Sequence, residues 1–119
     1  RAWLDAASRI AKDEDARALV VVTHAEPGFG RGLLRDDAYA AYRAELAAVA
    51  LRFGKPMLLV NGDDHLYAFD RPLADPRTGR RIESFHRVSP YGSPAMAPAI
   101  VTVNPALPQL FEARSGLTP

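Results

Sequence analysis

Two of the three histidines in this chain stand at the ends of hydrophobic runs. Ala18-Leu19-Val20-Val21-Val22-Thr23 leads into His24, and Met57-Leu58-Leu59-Val60-Asn61 passes through Gly62-Asp63-Asp64 into His65. Imidazole together with carboxylate is a donor mixture that Mn, Fe or Zn accepts. In open α/β proteins the carboxyl ends of neighbouring strands deliver such groups to one crevice. Gly62 permits a sharp turn, after which Asp63, Asp64 and His65 are three ligand-capable side chains in one short segment. The competing reading of that segment is a turn in which the two aspartates bond nearby backbone amides. For His24 the competing reading is an ordinary loop-capping histidine.

Other chemistry-bearing residues are less pointed. Glu26 and Asp70 offer further carboxylates, although Asp70 beside Arg71-Pro72 reads as the end of a strand. His86, between Phe85 and Arg87, reads as a packed or surface strand residue. Tyr91 and Ser93 lie in a Pro-Gly loop that could border a site, but Ser93 lacks the G-x-S-x-G setting of an activated nucleophile. Gly28-Phe29-Gly30-Arg31-Gly32 has neither the P-loop lysine nor dinucleotide spacing and reads as a flexible rim.

These residues need elements to hold them. Trp3, Leu4, Ala7, Ile10 and Ala11 recur at helical spacing, with Asp5 and Arg9 as an i,i+4 pair, so a helix is predicted up to residues 12–15. The continuous apolar run 18–23 has the composition of a strand buried on both faces. Asp36 and Asp37 suit the start of a second helix, along which Tyr39, Tyr42, Leu46, Val49, Ala50 and Phe53 share a face. Gly54 is its expected cap and Pro56 its stop. With the run 57–61 this forms a β-α-β unit with parallel strands and a right-handed crossover. Strands are also predicted over 66–70, 85–89, 99–103 and, weakly, 110–112. They are expected to extend the sheet in antiparallel fashion.

The 119 residues suffice for one domain, and the formal charge of +1 gives no electrostatic case for nucleic acid. Arg31, Arg35, Arg77, Arg80 and Arg81 are scattered through polar loops rather than gathered in a stripe. No apolar run approaches the roughly 20 residues that a membrane helix requires. Without cysteine, any metal must be held by His, Asp, Glu or Asn. Because Trp3 already belongs to a helical pattern, the expectation is of a piece of a longer protein.

The pairing of Val20-Val21-Val22-Thr23-His24 with Leu59-Val60-Asn61-Gly62-Asp63-Asp64-His65 resembles the C-terminal half of a calcineurin-like metallophosphoesterase. In that family a histidine after one strand, and a Gly-His-x-His motif after the next, supply the later ligands of a two-metal centre. The resemblance implies that His24 and His65 are metal ligands, with Asp63 standing where the first histidine of the later motif lies. It extends loosely through residues 66–73 and 92–103. The family's earlier motifs, Asp-x-His, Gly-Asp-x-x-Asp and Gly-Asn-His-Asp/Glu, are not in this chain.

What the resemblance implies is an α/β fold: a β-α-β core with added antiparallel strands, half of a four-layer α-β-β-α sandwich. The implied activity is hydrolysis of small phosphate esters with one or two divalent ions (Mn, Fe or Zn), the isolated chain having little or none. A homodimer through an exposed sheet edge is expected of such a half. The alternative is a non-catalytic interaction domain in which Asp63 marks a decayed metal site.

Overall fold

The computed structural model describes residues 2–29, 39–62, 65–94 and 96–116. The element order is α1 (Ala2–Asp13), β1 (Leu19–Val22), α2 (Ala40–Phe53), β2 (Met57–Val60), β3 (Ala68–Asp70), β4 (Phe85–Ser89), β5 (Ala99–Val103) and β6 (Phe111–Ser115). Asp36 and Asp37, expected to open the second helix, lie outside the described residues.

α1 forms where the sequence has its 3.6-residue period, and Leu4, Ser8 and Ala11 face inward. The Asp5–Arg9 pair is made at 3.0 Å, and Asp5 also meets Arg52 on α2. Trp3 and Ile10 are exposed. Leu4 alone supplies the large apolar side chain of the buried stripe, so the inward face is narrower than the pattern suggested. The helix closes with Asp15 in the left-handed region, φ +54. There the Ala16 N–H reaches the Ala11 carbonyl at 2.8 Å and the Asp15 N–H reaches that of Lys12 at 3.1 Å, the two bonds of a Schellman stop. α2 ends as its sequence dictates: Gly54 takes φ +70 and its N–H bonds the Ala50 carbonyl.

Four strands form one sheet in the order β1-β2-β4-β3. β1, β2 and β4 are parallel, with Val22 opposite Val60 and Val60 opposite Val88, whereas β3 runs antiparallel to β4. Side chains alternate between faces. One set, including Val21, Met57, Leu59 and Phe85, packs with Leu4, Leu46, Val49 and Ala50 from the helices. The other set, Leu58 and Val88, packs with Leu110 and Phe111, so the β5–β6 hairpin covers the opposite face. The hairpin is a separate two-stranded sheet.

Two expectations are thereby corrected. The later strands do not simply extend the sheet in antiparallel fashion: β4 joins β2 in parallel, and β5–β6 form a second layer. The run 18–23 is not buried on both faces. β1 is an edge strand on which Val20 is 50% and Val22 71% exposed. The composition of a buried parallel strand is present, but the hairpin centres on β2 and β4 and leaves these valines open.

Candidate metal site at the carboxyl rim

The parallel order brings the ends of β1, β2 and β4 to one rim. After β1, the Thr23 N–H bonds the Val60 carbonyl at 2.9 Å, and the Gly62 N–H bonds the His24 carbonyl at 2.9 Å. His24 and Gly62 are therefore cross-strand neighbours. A Cβ on Gly62 would sit 3.3 Å from the His24 carbonyl oxygen and 3.7 Å from its Nδ1. The His24 side chain is exposed at this rim.

His65 is held from the other side. Its backbone is left-handed, φ +60, uncommon for a side-chain-bearing residue though histidine tolerates it better than most. The Gly92 N–H donates to its carbonyl at 3.3 Å, and its Nδ1 lies 3.1 Å from the Ser93 carbonyl oxygen. A carbonyl accepts only, so Nδ1 carries a proton, and in the neutral ring Nε2 is then the lone-pair nitrogen. The ring lies directly on Gly92, where a Cβ would come within 2.8 Å of Cγ. Tyr67 and Tyr91 pair beside this loop with centroids 6.0 Å apart. Burial, reinforced by Tyr91, holds the Tyr67 hydroxyl above its ordinary pKa.

Both histidines thus follow neighbouring parallel strands. His24 stands over the β1–β2 junction, and His65 stands against the loop that leaves β4. Asp63 and Asp64 lie outside the described residues. Among the described residues, no three His, Asp or Glu side chains converge as a cation site.

Glu26 and Asp70 are committed elsewhere, to Arg87, a residue the sequence reading passed over. The Arg87 side chain is 8% exposed and that of Glu26 is 5%. Nε and Nη2 of Arg87 donate to the two oxygens of Asp70 at 2.9 and 2.8 Å. Nη1 reaches Glu26 Oε1 at 3.3 Å and Asn61 Oδ1 at 3.4 Å. Asp70, the last residue of β3, stands opposite Arg87 in the ladder. An arginine flanked by His86 and Val88 gives no pattern from which burial could be read. The available signal was three acidic or amide residues, Glu26, Asn61 and Asp70, each near the end of a strand.

His86 is packed, as one of its two readings had it. Its ring stacks on Phe69 at 5.7 Å and meets Phe111 edge-on at 6.2 Å, between the two sheets. Arg71 Nε donates to its Nε2 at 3.1 Å. Burial and the Arg71 charge push its pKa below 6.5, outweighing Glu83 and the Ser84 backbone, which favour the proton.

The glycine-rich segment is not a loose rim in its described part. The Glu26 carboxylate accepts the N–H groups of Gly28 at 2.7 Å and Phe29 at 3.0 Å. Residues 30–32 lie outside the described residues.

No family model, curated protein or solved structure matches this chain.

Proposed function

We propose that this domain supplies the later metal ligands, His24 and His65, of a metal-dependent phosphoesterase centre, with Asp63 as a third donor. The reading rests on the sequence resemblance together with one observation, the fixing of the His65 imidazole. Metal-ligating histidines nearly always give their second N–H to a carbonyl, carboxylate or water, which sets the tautomer and aims the ring. Here the Ser93 carbonyl fills that role at 3.1 Å, with Gly92 as the surface the ring rests on. The left-handed backbone at His65 is a further cost tolerated at a position with a specific task.

His24 and His65 fit a Mn, Fe or Zn ion as imidazole donors. The chemistry such an ion supplies when bound is Lewis-acid polarisation of a phosphoryl oxygen. The chain's own contribution is to hold two imidazoles at one rim and to border the substrate with the Tyr67–Tyr91 pair. Two histidines and one aspartate are half of a two-metal ligand set, so this chain alone is expected to bind metal weakly and to hydrolyse phosphate esters slowly or not at all. On this reading the helices and the four-stranded sheet are half of a four-layer α-β-β-α sandwich, with the β5–β6 hairpin covering part of the sheet's other face.

The second reading, an interaction domain with a decayed metal position, draws on the open β1 edge with its exposed Val20 and Val22. Strand pairing there would join a second copy of the chain. A manganese titration followed by the loss of the free-ion EPR signal separates the two readings. The phosphoesterase reading expects binding by the wild type that is abolished in His24→Ala and in His65→Ala. Absence of binding by the wild type, or binding untouched by both substitutions, would leave the interaction domain.

A further inference from the structure

Arg87 sits in mid-strand on β4, beneath the rim rather than on it, yet two of its partners, Glu26 and Asn61, follow the strand ends at that rim. A guanidinium presents five N–H donors in a rigid fork. Two are used on Asp70, at 2.9 and 2.8 Å, which anchors the group to β3. Nη1 turns toward the rim and is shared between Glu26 at 3.3 Å and Asn61 at 3.4 Å. The Phe29 ring covers the guanidinium carbon at 5.3 Å.

Glu26 and Asn61 each hold a loop in turn. Glu26 grips the amides of Gly28 and Phe29, shaping the turn that begins two residues after His24. Asn61 donates from Nδ2 to the Gly62 carbonyl at 2.9 Å, and the Gly62 N–H in turn bonds the His24 carbonyl. One buried cation therefore ties the segment leaving β1 to the segment leaving β2, and braces both against β3 and β4.

We propose that Arg87 is a positioning residue for the rim site, setting the backbone of His24 and of Gly62 beside it. Stability alone does not call for it, since a buried ion pair can often be replaced by apolar side chains of similar volume without loss. What an apolar side chain would lack is the fork that holds Glu26 and Asn61 together. The functional consequence rests on the metal reading above; the geometric one is read without metal.

Arg87→Met removes the fork and keeps much of the volume, and Glu26→Gln keeps the shape and removes the charge that Arg87 pairs with. Three quantities are measured in the full chain: the thermal midpoint, hydrogen exchange at the Gly28, Phe29 and Gly62 amides with the imidazole NMR signals of His24 and His65, and manganese affinity. The expected result for Arg87→Met is a folded protein in which those amides exchange about tenfold faster or more and the His24 imidazole signal moves, with the His65 signal, held by Ser93 and Gly92, as the comparison. Manganese affinity should fall about tenfold to a hundredfold, the usual effect of losing a group that orients ligands. Glu26→Gln should show the same changes in smaller measure, and it decides the matter if Arg87→Met fails to fold. Wild-type exchange and an unmoved His24 signal in a folded variant would overturn the proposal. A wild type that binds no manganese would end the metal reading, while the exchange and imidazole data would still decide the role of Arg87.

Discussion

At the residue scale, the contact between Gly92 and His65 makes the most local prediction. A methyl group at position 92 would fall 2.8 Å from the imidazole Cγ, too close for the ring to stay where it lies. Gly92→Ala is therefore expected to cost manganese affinity about tenfold or more, in line with the loss of a ligand-orienting contact. The far-UV spectrum should be unchanged, because Gly92 lies in a loop outside the helices and strands. An ITC titration of the variant beside the wild type checks it. His86 makes a second prediction. Its native pKa lies below 6.5, so below that pH the unfolded chain takes up the proton more readily than the folded one. Stability should then rise with pH from the folded pKa to about 6.5 and level off above it. Denaturant midpoints between pH 5 and 8 should show this slope. They should show less of it in His86→Phe, a substitution suited to a ring already lying among Phe69 and Phe111.

At the scale of elements, much was legible because short-range chemistry decides it. The β4 and β5 boundaries follow their runs, and Gly54 caps α2 where the pattern ends. Both histidines stand out in the sequence because each follows an apolar run. The parallel pairing of β1 with β2 that aligns their ends follows from the β-α-β connection. What could not be read was long-range: that β4 enters in parallel beside β2, and that the hairpin leaves the sheet to cover one face. Burial of Arg87 was equally hidden, because its partners lie 17, 26 and 61 residues away in sequence. The hairpin's attachment is open to test. Phe111 is fully buried against Leu58, Val88 and the His86 ring. Phe111→Ala should lower stability by about 3–5 kcal/mol in urea unfolding. If the hairpin were loosely attached, the loss would be well below 1 kcal/mol.

For the whole molecule, the open question is the β1 edge. Its exposed valines, and the lack of a second strand partner for β1 among the described residues, offer a template to another strand, and the run 18–23 carries neither charge nor proline to discourage pairing. Sedimentation equilibrium is expected to give a mass above that of one chain at high concentration. Val22→Lys, a charge on the most exposed of these positions, should restore the monomer. An unchanged mass distribution in the variant would place self-association on another surface. Among the described residues no helix is long and apolar enough to cross a membrane, so the apolar edge is not a spanning segment of that kind.

The central claim is that His24 and His65 serve one cation, and paramagnetic broadening tests it most directly. Manganese added well below one equivalent should broaden the imidazole signals of both rings together, leaving that of His86, buried between the sheets, comparatively sharp. In His24→Ala the broadening at His65 should disappear, and in His65→Ala that at His24 should disappear likewise. Rings that broaden independently, or a manganese effect spread evenly over all three histidines, would contradict the account.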